Sequence, residues 1–330
     1  MSSSIEGPEH RPIPTSRYDL STYWGRVRHC LEISDPRNLL VTPTQVRIAK
    51  QALSEYRHGY ISEFAEELWE HKQVLDSTVH PDTGETIFLP FRMSCCVLSN
   101  LIVTAGMLTP NLTVGGTIFW QWANQSLNVA INTSNANKSH PLTTKQLLTN
   151  YAAAVSASCG VALGLNALVP RLKSLTPKTK LIMTRLVPFA AVVSAGIVNV
   201  FLMRSEELKK GITVVDPETK EPLGTSKVAA TYAVGETAAS RVINATPIMA
   251  IPPLILVKLQ RGFLKGKGLG ITTAVNLGLI TVTSFAVLPF ALAVFPQTER
   301  LHVSKLEDKF RELRNKSGKP VEFVEFNRGI

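Results

Sequence analysis

Apolar residues in this chain are concentrated in long stretches that carry no charge. No residue from Met93 to Asn137 is charged, and further charge-free stretches cover residues 146–170, 186–203, 242–257 and 268–298. An α-helix rises about 1.5 Å per residue and the hydrocarbon core of a bilayer is about 30 Å thick, so each stretch has about the length of a membrane-crossing helix. The pattern predicts an all-α polytopic membrane protein with about five transmembrane helices.

These stretches divide the chain into an N-terminal domain of residues 1–92, a transmembrane domain of residues 93–298 and a C-terminal tail of residues 299–330. The predicted spans lie near residues 94–112, 146–169, 184–203, 241–258 and 269–295. The first of them is slightly short for a crossing. Residues 113–135 form an additional amphipathic helix, which either lines a wet cavity or lies at the membrane interface.

Local signals predict elements outside the spans. Residues 42–45 (TPTQ) match a capping box with proline in the first turn, which favours a small helical N-terminal domain. Residues 212–215 and 221–223 flank a turn-forming segment and predict a hairpin, after which Ser226 is placed to cap a helix. The tail ends in a short alternating run at 321–326. Earlier in the tail, three apolar residues repeat at helical spacing: Leu306, Phe310 and Leu313.

Neutral amides share one face of the amphipathic helix, and the opposite face is apolar. They include Asn124, Gln125, Asn128 and Asn132. An amide in lipid carries a free-energy cost unless it contacts water, another amide or a ligand. Since an amide both donates and accepts hydrogen bonds, the row is suited either to bind a zwitterion along a substrate path or to hold neighbouring helices together.

One arginine and three prolines mark the fourth span. Arg241 opens the span, where its guanidinium either reaches the interface or receives the carboxylate of a substrate. Pro247, Pro252 and Pro253 interrupt the hydrogen bonds of the helix. The span therefore either packs around a fixed bend or exposes backbone groups and flexes as a gate.

A polar hexapeptide, residues 80–85 (HPDTGE), precedes the first span. Proline and glycine around an aspartate favour a tight turn. We interpret His80 and Asp82 as structural or gating residues. A metal site is disfavoured because only one of its possible ligands is a nitrogen. No metal and no cofactor are predicted.

Composition and charge narrow the class of function. The chain is 45% hydrophobic and 18% charged with a mean hydropathy of +0.10, which excludes a disordered chain. Its net charge of +10 comes mainly from residues 93–298, with 17 basic and 6 acidic residues, and no nucleic-acid partner is predicted. The loops at 171–180 and 258–267 are basic and acid-free, as expected on the inner side of a membrane. With five crossings, both loops and the N-terminus share one side and the C-terminus lies opposite.

Enzymatic chemistry is not predicted, because the spans contain no nucleophile-elbow, zinc-protease or paired-carboxylate motif. The four cysteines include no C-x-x-C pair. Residues 1–20 contain glutamates and prolines instead of an apolar signal or an arginine-rich presequence, so organelle import is expected to use internal signals.

Longer motifs are distributed over nearly the whole chain. They include residues 35–38 (DPRN), 80–85 (HPDTGE), 119–122 (FWQW), 162–168 (ALGLNAL), 185–191 (RLVPFAA), 251–253 (IPP) and 326–329 (FNRG). In these motifs the chain resembles the sideroflexins, a family of mitochondrial inner-membrane proteins, and most closely their fungal branch. Three positions depart from the family pattern: Gly196 stands where animal members carry asparagine, Phe201 where they carry proline, and Thr86 where lysine is common.

The resemblance implies a carrier that moves serine and other small neutral amino acids into mitochondria for one-carbon metabolism. Its partners are then these amino acids, the lipid bilayer and the mitochondrial carrier-import machinery. Together with the loop charges, it implies an N-terminus in the matrix and a C-terminus in the intermembrane space. The alternative is a non-transporting inner-membrane scaffold that supports respiratory-chain or iron-cofactor assembly.

Overall fold

The computed structural model describes residues 11–328 except residues 15, 62–63, 81–82, 93–94, 110, 136–142 and 311–319. The chain divides into two units, Met1–Ile102 with Ser126–Pro141 and Val103–Gln125 with Leu142–Ile330. Helices make up most of the described chain, and four of them are long and apolar enough to cross a membrane, which confirms the predicted all-α polytopic fold class. One small sheet accompanies them.

The α-helices are α1 (Tyr23–Ile33), α2 (Pro43–Arg57), α3 (Glu66–Thr78), α4 (Cys96–Met107), α5 (Val114–Asn135), α6 (Thr144–Leu168), α7 (Pro177–Met203), α8 (Ser205–Lys210), α9 (Lys227–Met249), α10 (Ile251–Arg261) and α11 (Leu269–Leu292). The strands are β1 (Ile212–Val215), β2 (Pro222–Ser226), β3 (Thr298–His302) and β4 (Phe323–Asn327).

The capping box predicted at the start of α2 is confirmed. Gln45 N donates to Thr42 Oγ1 at 3.3 Å, and Thr42 N donates to the Gln45 side-chain oxygen at 2.8 Å. α2 packs against α3, and its buried residues are Val46, Ala49 and Leu53. The N-terminal unit therefore has a helical core of its own.

In the second unit, α6 and α7 form a helical hairpin, α7 packs against α9, and α9 packs against α11. Ala162 of α6 packs with Val187 and Ala191 of α7, so small residues allow the first pair of helices to approach closely. The helices that are long and apolar enough to cross a membrane are Thr144–Arg171, Pro177–Met203, Lys227–Arg261 and Gly270–Val287.

The helix over the first predicted span, 94–112, is shorter than expected. α4 has 12 residues and is about 18 Å long, whereas the amphipathic α5 has 22 residues and is about 33 Å long. A hydrocarbon core is about 30 Å thick. Length therefore allows α5 to cross without help and does not allow α4 to do so.

The hairpin predicted between the third and fourth spans is confirmed, and it belongs to a larger sheet. β1 and β2 pair antiparallel, and Ser226 caps α9 by accepting a hydrogen bond from Ala229 N at 3.0 Å. The tail contributes β3 and β4, and the strand order is β2-β1-β4-β3. Because β1 pairs with β4, the segment after α7 and the segment after α11 lie at the same end of the helix bundle.

The helical spacing in the tail predicts the wrong element for its described residues. Leu306 and Phe310 lie in or next to short 3-10 turns, Val303–Lys305 and Asp308–Phe310, and are buried in the core under the sheet. Leu313 lies outside the described residues. The apolar spacing reflects burial against strands, which override a short local helical pattern.

Glu307 connects the tail to the first turn of α9. Its carboxylate accepts hydrogen bonds from Ser226 Oγ at 2.7 Å, Lys227 N at 2.7 Å and Val228 N at 3.3 Å. Burial raises the pKa of Glu307, but these hydrogen bonds outweigh burial and hold the pKa below its ordinary value. The stabilisation from Glu307 is therefore present above the unfolded-state pKa and is lost as the pH falls through the lowered folded-state pKa.

We expect Glu307→Gln to lower the free energy of unfolding by about 1–2 kcal/mol at neutral pH, as the loss of a helix cap does. The measurement is unfolding of the detergent-purified protein at pH 7 and pH 4, and the deficit should shrink at pH 4 because the unfolded protein then binds more protons at Glu307 than the folded protein does. Glu322→Gln, at an exposed position of the same tail, is the control and should unfold like the wild type. An equal deficit at both pH values would show that the charge of Glu307 is irrelevant.

Candidate functional site

α5 buries amides and exposes aromatic side chains. Gln121, Asn124 and Gln125 are only 2%, 4% and 5% exposed, whereas Phe119 and Trp122 are 52% and 48% exposed. A helix of a soluble protein has the opposite polarity, whereas a membrane helix keeps polar side chains away from lipid. α5 therefore presents its polar face to the protein interior.

The buried amides are incompletely bonded. Gln121 Oε1 accepts a hydrogen bond from Ser158 Oγ of α6 at 2.5 Å. One turn further along α5, Asn124 Nδ2 and Gln125 Nε2 are buried and have no hydrogen-bond partner among the described residues. An unpaired buried donor costs about 1–3 kcal/mol. Such groups are expected where water or a polar solute completes the bonding.

A cavity of about 460 Å³ lies beside Gln121, within the range of about 300–1,000 Å³ that is typical of small-molecule sites. The end of α4, the first two turns of α5, the end of α6 and the first half of α7 enclose it. Its polar lining consists of the amides Asn111, Gln121 and Asn166, the hydroxyls Thr109, Thr117 and Thr184, and the guanidinium of Arg185. The remaining lining is apolar, apart from the indole N–H of Trp120.

The cavity has a buried end and an exposed end. Gln121, Ala162 and Val187 are buried, whereas Asn166 and Thr184 are exposed. The exposed end lies where α6 ends and α7 begins, next to the basic loop. The turn between α4 and α5 borders the same cavity as the end of α6. Further along α5, Gln121 bonds to Ser158, which lies earlier in α6, so α5 and α6 run antiparallel. The cavity therefore opens at the end where α6 and α7 meet the basic loop, and Gln121 lies at its closed end.

The predicted path residues lie beyond or apart from this cavity. Asn124 and Gln125 are buried one turn past Gln121, Asn128 is half-buried and Asn132 is exposed. The Arg241 side chain lies on α9, with its Cβ 3.5 Å from the position of a Cβ on Gly196 of α7. None of these residues lines the cavity, so their role in a path stays a prediction.

Arg185 is the site residue that the charge pattern misses. The third charge-free stretch begins at residue 186, which puts Arg185 at the border of the third predicted span. α7, however, begins at Pro177 with Thr176 as its N-cap, so Arg185 lies more than two turns inside the helix and is half-buried. The Thr176-Pro177 capping signal would have placed this arginine within the helix.

The three prolines of the fourth span are buried at a break in the helix. α9 ends at Met249 and α10 begins at Ile251, with Pro247 before the break and Pro252 and Pro253 after it. Proline has no amide hydrogen, so the carbonyls four residues before each proline lose their helical donor. The break is observed, and a gating role for it stays a prediction.

The polar hexapeptide forms a turn in its described residues. Val79 and Thr86 pair as an antiparallel bridge, His80 N donates to Glu85 O at 2.9 Å, and Gly84 N donates to His80 O at 2.9 Å. His80 is 3% exposed. Asp82 lies outside the described residues. Within the described chain, no three His, Cys, Asp or Glu side chains are grouped so as to hold a metal ion.

The comparisons with known proteins agree with this membrane architecture. A family model described as "Sideroflexins" matches residues 12–330. Sideroflexin FSF1 of Saccharomyces cerevisiae is 66% identical over 330 residues, which are 100% of both chains. Sideroflexin fsf1 of Schizosaccharomyces pombe is 58% identical over 96% of this chain and 98% of its own, and Sideroflexin-5 of Homo sapiens is 37% identical over 95% and 91%. No solved structure matches the chain.

Proposed function

Because the chain belongs to the sideroflexin family, we propose that it is a multi-pass carrier of the mitochondrial inner membrane that moves serine and other small neutral amino acids into mitochondria. In this role it supplies mitochondrial one-carbon metabolism. The observation that carries the proposal is the buried amide face of α5, which continues from the floor of a cavity that is exposed at one end.

Neutral amides suit this task because they bind the two charges of an amino acid without being charged themselves. Amide N–H groups donate to a carboxylate and amide carbonyls accept from an ammonium group. A millimolar dissociation constant corresponds to only about 4 kcal/mol, which a few desolvated hydrogen bonds provide. Weak binding of this kind also permits release on the far side.

The proline break supplies a second element of the proposed mechanism. Broken helices in transporters offer free backbone groups to a solute and change angle during access to alternate sides. Pro247, Pro252 and Pro253 leave the carbonyls of Ile243, Ile248 and Met249 without a helical donor. We propose that α9 and α10 move about this break as the carrier changes state.

The proposed topology has five crossings: α5, α6, α7, α9 with α10, and α11. α4 is too short to cross alone, and α5 takes the place first assigned to residues 94–112. This count keeps the N-terminus and the basic loops in the matrix and the C-terminal sheet in the intermembrane space. The shared sheet of hairpin and tail supports counting α9 with α10 as one crossing, since both segments must lie on one side.

The proposal is tested by uptake of labelled serine into liposomes that contain the purified protein. We expect uptake to exceed that of empty vesicles under at least one ion gradient. Asn128→Leu should reduce uptake at least tenfold while the protein stays folded, because the path loses one amide. Thr133→Val is the matched control on α5, since Thr133 is exposed and its hydroxyl bonds to its own helix at Val129 O.

Uptake no faster than in empty vesicles would rule out the carrier. The alternative function, a scaffold for respiratory-chain or iron-cofactor assembly, predicts a different pattern. A scaffold with Asn128→Leu should keep its protein partners, and neither variant should change serine flux because the wild type has none.

A further inference from the structure

Arg185 is the one charged side chain among the described residues that line the cavity. It projects from α7, is half-buried, and makes no ion pair with any described residue. Gln121, Asn166 and Thr184 contribute neutral polar groups to the same cavity. A partly desolvated guanidinium without a carboxylate partner favours the binding of an anion.

We infer that this cavity is a carboxylate site, in which Arg185 binds the free carboxylate of a small solute and the neutral side chains around it bind the rest. The inference rests on the proposed carrier function and names the group that selects its substrates. A guanidinium binds a carboxylate with two parallel N–H···O bonds, which are stronger than bonds between neutral groups. Arg185 therefore contributes more to binding than any single amide.

The lining also determines which solutes are admitted. The described lining contains no aspartate or glutamate, so an ammonium group meets only neutral acceptors there, such as Gln121 Oε1. Loss of the ammonium group should therefore weaken binding less than loss of the carboxylate. The class of ligand is a small monocarboxylate with hydrogen-bonding substituents, of which a neutral amino acid is one example and a hydroxy acid is another.

Arg241, for which the sequence pattern also allows carboxylate binding, is the competing arginine, and it lies outside the cavity. It also lies in a long apolar helix, and no ion pair joins it to a described residue, but its stem packs toward Gly196 and it does not line the cavity. Replacing each arginine with glutamine therefore removes the same charge from two different places. Only the change at Arg185 removes it from the cavity.

The experiment measures ligand binding and serine uptake on the same full-length protein. Binding of serine, glycerate and serinol is followed by saturation-transfer NMR in detergent. Serinol lacks the carboxylate and glycerate lacks the ammonium group. We expect glycerate to compete with serine and serinol not to compete.

Arg185→Gln should weaken serine and glycerate binding about 10- to 100-fold, as loss of a charge-assisted hydrogen bond does, and Arg185→Lys should fall in between. Arg241→Gln tests the competing assignment and should weaken serine binding much less than Arg185→Gln does.

Serinol competing as well as glycerate in the wild type would overturn the inference, whether or not Arg185→Gln folds. So would unchanged serine binding in a folded Arg185→Gln protein, or a larger loss in Arg241→Gln. Uptake reports separately on the proposed function. If the wild type binds glycerate but transports no serine, the carboxylate site is supported and the carrier function is ruled out. If the wild type transports serine but binds serinol as well as glycerate, the carrier function is supported and the carboxylate site is ruled out.

Discussion

Replacing Arg328 with alanine is expected to destabilise the second unit by about 3–5 kcal/mol, because it removes a buried cation that pairs with two half-buried carboxylates. Arg328 Nε pairs with Glu236 of α9, and Arg328 Nη2 lies 2.8 Å from Glu299 of β3. Its Nη1 donates to Pro296 O at 2.9 Å. With the arginine absent, Glu236 and Glu299 are left next to each other without their countercharge.

Unfolding of the detergent-purified protein and protease sensitivity of the tail measure this effect. The matched control is Arg300→Ala in the same sheet. Arg300 pairs with Glu325 at 3.3 Å, but its side chain is 63% exposed, against 7% for Arg328. Exposed pairs contribute about 0–1 kcal/mol, so this variant should unfold nearly like the wild type. Similar stabilities of the two variants would mean that the ion pairs of Arg328 do not hold the tail to the bundle.

Replacing Gly106 with alanine is expected to displace Trp120 and to reduce serine uptake severely. A Cβ on Gly106 would lie 2.2 Å from Trp120 Cε2, and two more indole atoms would lie within 2.4 Å. These atoms belong to the rigid fused rings of the indole, so either α4 or the whole Trp120 side chain must move. Trp120 lines the cavity and the ring has room to move there, which would fill the proposed site. Overpacking of this kind costs about 1–3 kcal/mol.

Gly160→Ala is the control for Gly106→Ala. Gly160 also lies in a long helix of this unit, and a Cβ there would meet nothing within 4 Å. Alanine favours a helix over glycine by about 1 kcal/mol, so this protein should be at least as stable as the wild type and should transport serine normally. Normal uptake in Gly106→Ala would show that the position of Trp120 is unimportant for the cavity.

The sequence was sufficient for features that depend on nearby residues. The capping box at Thr42, the hairpin before α9 and the Ser226 cap are confirmed because each is defined by side-chain and backbone bonds within a few positions. The long apolar helices follow from composition alone. These signals do not depend on how the helices pack.

Features that depend on distant residues were not predictable in this way. The pairing of β1 with β4 joins residues 110 positions apart, Val215 and Glu325, and no local pattern specifies it. The helical spacing of the apolar residues in the tail consequently predicts the wrong element for Leu306 and Phe310. At the site, the stripe of amides pointed to α5, but only packing shows that Gln121 meets the cavity and that Arg185, not Arg241, lines it.

The claim that a small carboxylate solute occupies the cavity is tested most directly by protection of a cysteine placed there. Ala167 lines the exposed end of the cavity, and Ser174 is exposed in the loop beyond it. In protein with Cys30, Cys95, Cys96 and Cys159 replaced by alanine, Ala167→Cys and Ser174→Cys are labelled with a membrane-impermeant maleimide. We expect millimolar serine to slow labelling at position 167 at least twofold and to leave labelling at position 174 unchanged. Equal labelling rates with and without serine at position 167, at concentrations that saturate uptake, would contradict it.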